Sequence, residues 1–423
     1  MGARAPRHAT LEAWLRWQET LHPRAVDLGL ERVSSVWRAL GAPRPAPLVV
    51  TVAGTNGKGS VVAFLESVLG AARWRTAAYT SPHLARYNER VRVAGEPVPD
   101  EALVEAFAAV DAARGGTTLT YFEFGTLAAL WLLARAEVDV ALLEVGLGGR
   151  LDAVNVVDPD VAVITQVGLD HTEWLGPDRE AIGREKAGIL RPGRPAVVGD
   201  PAPPASVEAH ARALGAPLTR RGHEFDLRPA GEGQWAFEDA EGTLILPMPG
   251  LAGAHQLDNA ATAVAAAQLA ARAAGRLLPS GAIARGVREA RLAGRFQRIA
   301  GEVETVLDVA HNPDAAAALR ACLEAAPARG ATRCVLGMMA DKDVEGFVRA
   351  LAPAVSAWHA AGLPGARGLA GGALARRVRA AGVEAVEAHE DVTAALAAAR
   401  AASAPGDRVL VTGSFLTVAA VLA

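Results

Sequence analysis

The sequence predicts an α/β protein. An N-terminal phosphate-loop domain with a parallel sheet and a small antiparallel side sheet precedes a smaller, Rossmann-like α/β domain. Three observations carry this. Short apolar runs alternate with amphipathic stretches along most of the chain. One run, residues 48–53, ends in Gly54-Thr55-Asn56-Gly57-Lys58-Gly59-Ser60 and leads directly into a helical pattern. A second alternating series starts near Val303.

Taken in order, residues 48–53 are a strand and 60–72 the helix after the glycine loop. Residues 122–136 read as a helix, 138–144 as a buried strand, 161–167 as another strand and 178–190 as a helix. Between 192 and 249 short alternating runs such as Gln234-Trp235-Ala236-Phe237 predict the antiparallel side sheet. Residues 260–274 form an Ala-rich helix with regularly placed Val and Leu. In the second series, strands are expected at 304–309, 333–337, 356–360 and 408–411, with helices at 314–325, 344–352 and 392–402. A hinge at 292–298 divides the chain into domains 1–294 and 298–423, with nucleotide expected beyond the carboxyl ends of the strands.

Composition excludes several classes. A net charge of -3 supports neither a nucleic-acid nor an anionic-membrane partner. Apolar runs stop well short of the ~20 residues of a membrane span, and no secretory h-region is visible, so a cytoplasmic location is expected. Cys322 and Cys334 lack zinc or redox spacing and read as two reduced thiols. Forty of the 43 basic residues are arginine. The three lysines, Lys58, Lys186 and Lys342, therefore mark places where a compact or deprotonatable amine is needed.

Glycines 54, 57 and 59 allow backbone N–H groups to converge on phosphate oxygens, Lys58 reaches the terminal phosphates, and Ser60 opens the helix. Val52 stands where the common form of the motif has its first glycine. Glu144 ends a buried strand before a glycine-rich turn, where a carboxylate can hold Mg²⁺. His171, in Asp170-His171-Thr172, follows the next strand and is expected on the same rim as Glu144. From the residues alone, Lys186 pairs with Glu185 or Glu180 on its helix. In the second half, Arg295, Asp308, His311 and Ser414 gather a guanidinium, an acid, an imidazole and a hydroxyl near strand ends, suited to a ribose and a small carboxylated substrate.

These motifs resemble the Mur ligases, and among them the bacterial folylpolyglutamate synthase/dihydrofolate synthase branch. The resemblance runs from Val26-Asp27-Leu28-Gly29-Leu30-Glu31-Arg32 to Gly413-Ser414-Phe415, through Ser81-Pro82-His83-Leu84, Tyr121-Phe122-Glu123-Phe124-Gly125-Thr126, Leu169-Asp170-His171-Thr172 and Trp174-Leu175-Gly176. Only 53 residues precede Gly54, too few for the UDP-sugar domain of a cell-wall ligase, which favours the folate branch.

The resemblance implies an ATP-dependent amide ligase. It converts a carboxylate of dihydropteroate or a reduced folate to an acyl phosphate, which the amine of L-glutamate then attacks. It further implies two Mg²⁺ ions served by Ser60, Ser81, Glu144 and His171, with a carbamate on Lys186 helping to hold the second, which reverses the helix-face pairing. Asn259, Arg295 and Asp308 contact the nucleotide together with Gly54, Thr55, Asn56, Gly57, Lys58 and Gly59. His311 and Ser414 face glutamate, while Val26, Asp27, Leu28, Thr120, Phe122, Asp152 and Ala153 hold the pterin. A monovalent cation such as K⁺ and a monomeric state are implied as well. Val154 departs from the branch, which commonly has Thr there. The alternatives are an enzyme with only one of the two activities, a nucleotide-binding regulator without ligase chemistry, and a small-molecule kinase.

Overall fold

The computed structural model describes residues 7–422. Strands β1 (Leu48–Ala53), β2 (Thr76–Tyr79), β3 (Val91–Val93), β4 (Glu96–Pro97), β5 (Val140–Glu144), β6 (Val161–Ile164), β7 (Ala196–Val198) and β8 (Leu218–Arg220) form one sheet in the order β4-β3-β2-β5-β1-β6-β7-β8. All pair in parallel except β3 and β4. Strand β1 lies at the centre and is buried along its whole length, which explains its run of apolar residues, broken only by Thr51. Its neighbour β5 is in register so that Val52 sits beside Glu144.

Helix Lys58–Ala71 follows β1 and is apolar almost all round because it is covered on both sides. Helix Ser280–Glu289 crosses it at Gly286, where an added Cβ would run into the backbone of Val68, and Ser67 Oγ donates to Gly286 O at 2.8 Å.

Strands β9 (Phe225–Pro229), β10 (Gln234–Asp239) and β11 (Gly242–Pro247) make a three-stranded antiparallel sheet. The side sheet expected over 192–249 is therefore shorter. Its first part instead extends the parallel sheet through β7, helix Ala205–Leu214 and β8. A three-residue buried strand shows no period by which a parallel neighbour could be told from an antiparallel one, and the Pro and Gly around it read as turns.

Strands β12 (Gln297–Ile299), β13 (Glu304–Leu307), β14 (Thr332–Leu336), β15 (Ala357–Ala361), β16 (Val386–His389) and β17 (Arg408–Thr412) form a six-stranded sheet in the order β12-β13-β17-β14-β15-β16. Only β12 is antiparallel. The four strands expected in this half are present, and β12 and β16 add one to each edge.

The chain forms two compact units. One comprises the residues up to Pro82, Tyr87–Gly250 and Asp258–Ala290; the other comprises His83–Arg86, Leu251–Leu257 and everything from Arg291. Each has its own apolar core. The excursion at 83–86 belongs to the second unit because Leu84 packs with Val309 and Val418 around Gly294. Both cysteines are free and buried, and burial pushes the Cys322 thiol up to about 11. Among the described residues no helix is long and apolar enough to cross a membrane.

Candidate active site

The glycine loop is held from beneath by the segment after β6. Thr55 N donates to Gln166 O at 2.7 Å, Thr165 Oγ1 to Asn56 O at 2.6 Å, and Asn56 Nδ2 to Gln166 Oε1 at 3.1 Å. Gly57 stands at φ 89, the left-handed conformation that glycine adopts freely, and caps helix Lys58–Ala71. A Cβ on Gly57 would overlap the Asn259 side chain, and one on Gly54 would overlap Thr165. Lys58 Nζ donates to Gly54 O and Thr55 O, both at 3.1 Å, so its ammonium lies over the loop it serves. Ser60 is buried in the first turn of the helix, at the positive end of its dipole. Thr165 and Gln166 were not singled out in the sequence. Their work is done from a loop over 100 residues away, and no local pattern announces it.

Glu144 is buried, and its Oε2 accepts from Ser81 N at 3.1 Å, which joins two of the expected metal-serving residues. A buried carboxylate and serine hydroxyls are hard oxygen ligands, the kind Mg²⁺ takes. His171 has φ 52, a left-handed conformation rare outside glycine, and its backbone N–H donates to Asp170 Oδ1 at 2.9 Å. Lys186 is 3% exposed near the end of helix Arg179–Ala187. The pairing read from the residues alone is overturned. Glu185 binds Arg150 at 2.8 Å, and Glu180 accepts from Ala205 N at 2.9 Å and Ser206 N at 2.8 Å. Burial and the nearby positive charge of Lys58 bring the Lys186 amine down to about 7, against the opposing pull of Asp170 and Asp152. Four expected or neighbouring residues thus share one electrostatic environment.

Asp152 is buried, and its carboxylate accepts from Leu147 N at 2.8 Å and Val154 N at 2.9 Å, which pins the glycine-rich turn after β5. Burial raises its carboxyl to about 6, while these backbone bonds and the charge of Lys58 pull the other way. The turn is packed tightly, since a Cβ on Gly149 would stand 2.7 Å from Glu185 O. Val154, the departure from the branch, is fully buried in the apolar core, where a methyl in place of a hydroxyl leaves no donor unmatched.

Two of the residues expected at the pterin end, Asp27 and Thr120, are linked through Arg32 and Glu123. Arg32 reaches Asp27 Oδ2 at 2.8 Å, Asp27 O at 2.6 Å and Glu123 Oε1 at 2.9 Å. Glu123 Oε2 accepts from Thr120 N at 2.8 Å, and Thr120 Oγ1 accepts from Glu123 N at 3.2 Å, a complete capping box on helix Tyr121–Leu133. The Thr-x-x-Glu spacing ahead of an apolar run is a signal visible in the sequence, whereas the bridge by Arg32 is not. Phe122 lies against Gly146, where a Cβ would come 2.5 Å from its ring. Val26, Leu28 and Ala153 complete this set, the first two half-buried and the last buried.

In the second unit, Asp308 follows β13. It is half-buried, and its carboxylate accepts from Phe296 N and Ala310 N, both at 2.8 Å. Burial raises its carboxyl, and the Arg295 guanidinium opposes the rise. His311 Nδ1 donates to Val309 O at 2.9 Å, which fixes the tautomer and leaves Nε2 as the basic nitrogen. Phe415 lies beside both, 5.3 Å from the Arg295 guanidinium and 6.3 Å from the His311 ring. Ser414 follows β17, and its hydroxyl is 2.7 Å from that of Thr417, which itself donates to Gly337 O at 2.8 Å. Gly413, at φ 104, makes the sharp turn that joins them, and its N–H donates to Ala310 O at 3.0 Å. Lys342 lies 3.8 Å from Asp341.

A glycine loop fed by a central parallel strand, a carboxylate on the next strand and a second α/β unit define a Mur-type ligase. Residues 52–199 match the Mur ligase middle domain and 294–415 the Mur ligase glutamate ligase domain. The dihydrofolate synthase/folylpolyglutamate synthase of Escherichia coli K12 is 48% identical over 99% of this chain and 96% of its own. The solved structure of E. coli FolC in complex with DHPP and ADP superposes with a TM-score of 0.92 at 47% identity, covering 99% of this chain and 98% of that one. A bifunctional folylpolyglutamate synthase/dihydrofolate synthase with Mn, AMPPNP and L-glutamate bound gives 0.90 at 45%, covering 98% and 97%. The chain belongs to the dihydrofolate synthase/folylpolyglutamate synthase family of Mur ligases.

Proposed function

We propose that this chain is an ATP-dependent amide ligase that adds L-glutamate both to dihydropteroate and to the γ-carboxylate of reduced folates. The observation that carries this reading is a buried lysine, Lys186, in the same electrostatic environment as the loop lysine Lys58, in a chain alike over its whole length to enzymes named for both activities. A substrate carboxylate oxygen attacks the γ-phosphorus, the bond to ADP breaks, and the acyl phosphate forms. The glutamate amine then attacks the acyl carbon and phosphate leaves.

Lys58 and the N–H groups of residues 54–60 offset charge on the phosphates. Ser60, Ser81, Glu144 and His171 would hold two Mg²⁺ ions, which would supply Lewis-acid polarisation of the phosphoryl oxygens. Lys186, with its amine brought down to about 7, is in large part unprotonated at physiological pH; the neutral form adds CO₂ through its lone pair and releases one proton, which turns a buried neutral amine into a carbamate anion next to Lys58. In the second unit, Asp308 and Arg295 suit the nucleotide, while His311 and Ser414 suit the amino acid. Val26, Asp27, Leu28, Thr120, Phe122, Asp152 and Ala153 suit the pterin, and a K⁺ ion would assist.

Phosphate release from ATP and Mg²⁺, with dihydropteroate, a reduced folate or L-glutamate omitted in turn and product mass followed in parallel, tests this. Release that requires glutamate plus either acceptor, with the matching products, is expected. Release with the folate alone reduces the protein to a polyglutamate synthase. Release indifferent to both acceptors overturns the ligase reading. Replacing K⁺ by Na⁺ and measuring the mass gained from ¹³C-labelled CO₂ test the cation and the carbamate.

A further inference from the structure

At the far edge of the second unit's sheet, away from β13 and β17, two histidines and a glutamate converge. His359 lies on β15, and Glu387 and His389 lie on β16. Strand register pairs His359 with Glu387 and Ala361 with His389, so the period of two puts all three on one face of the sheet. His359 Nδ1 is 3.1 Å from His389 Nε2 and 3.8 Å from Glu387 Oε2, and His389 Nε2 is 3.9 Å from the same oxygen. Among the described residues this is the group of His, Cys, Asp and Glu whose ligand atoms come within 4.8 Å of one another. A triangle with those sides has its centre about 2.1 Å from each corner, the length of a bond from zinc to an imidazole nitrogen or a carboxylate oxygen.

The geometry points to a binding site for one zinc-class divalent ion, held by His359 Nδ1, His389 Nε2 and Glu387 Oε2. Two imidazoles and a carboxylate are borderline ligands that favour zinc, cobalt, nickel or copper, whereas magnesium and calcium take oxygen sets. The site therefore differs in chemistry from the mainly oxygen-bearing set near the glycine loop, which has one histidine, His171. Helix Val392–Ala401 begins just after His389, anchored by Asp391, and its Val392 and Ala395 share a core with Ala361 on the same sheet face. Glu387 is 71% exposed and leaves the ion an approach from solvent. A bound ion ties the edge strand β16 to β15 by two side chains in addition to the ladder.

The test uses the full chain, stripped with chelator and then titrated with Zn²⁺, and separately with Co²⁺ for its visible d–d bands, at saturating Mg²⁺. Wild type is expected to take up one more equivalent than His389→Ala or Glu387→Gln, to show the Co²⁺ bands that both variants lack, and to melt at a higher temperature when Zn²⁺ is added. Affinity should fall more than tenfold in each variant, as loss of a ligand costs at least what loss of a ligand's support does. Ligase activity with Mg²⁺ should be unchanged in both. Equal uptake and equal bands in wild type and Glu387→Gln overturn the proposal. Because Glu387 is exposed, that variant keeps the test decisive if His389→Ala does not fold.

Discussion

Replacing Lys186 by methionine should stabilise the protein while abolishing ligation. In the folded chain this amine titrates at about 7, and burial is the main cause. In the unfolded chain it returns to the ordinary range near 10.4. Between those values the unfolded chain holds a proton that the folded one lacks, so stability rises with pH across the window and the full cost is felt below pH 7. That cost is roughly 4 kcal/mol at pH 7 and falls to roughly 2 kcal/mol at pH 9. Methionine has a similar length and no charge, so Lys186→Met should gain up to these amounts, less where Asp170 and Asp152 lose a favourable neighbour. Urea unfolding in CO₂-free buffer at pH 7 and pH 9, with phosphate release measured alongside, reads the effect. No gain at pH 7, or an equal gain at both pH values, would refute the reasoning. A variant that stays active would sink the role given to the amine.

Gly57→Ala forces a left-handed backbone on alanine and drives its methyl into Asn259, so stability should drop by about 1–3 kcal/mol and KM for ATP rise at least tenfold. Unchanged nucleotide affinity would count against the loop. Arg32→Ala leaves buried Glu123 without its charged partner and should cost about 2–3 kcal/mol in a urea melt, with KM for the pterin rising more than kcat falls. Chelation should remove activity and either Mg²⁺ or Mn²⁺ restore it, as phosphate release will show; activity that survives exhaustive chelation contradicts the metal assignment.

Much of the first half was legible because its signals are local. The glycine loop, its strand and its helix lie within residues 48–71, and each needs only its neighbours in sequence to be read. The apolar run of β5 ends at Glu144 for the same reason, as the last residue before the chain leaves the sheet. The second α/β series was readable as strands and helices, though its edge strands β12 and β16 are short and half-exposed and carry little pattern.

What the chain could not declare is which distant groups meet. Local spacing puts Lys186 within reach of Glu185 and Glu180, and only the packing of helix Arg179–Ala187 turns the amine inward and gives both acids to other partners. Burial then sets its proton affinity, a property of surroundings and not of spacing. The bridge from Asp27 through Arg32 to Glu123 spans 96 residues of sequence. The convergence of His359 with Glu387 and His389 likewise depends on the register of two parallel strands. Sequence alone determined the local architecture and the phosphate loop, because backbone propensity and hydrophobic period act over a few residues. Tertiary structure decided charge, burial and partnership, because these depend on which surfaces meet across the fold.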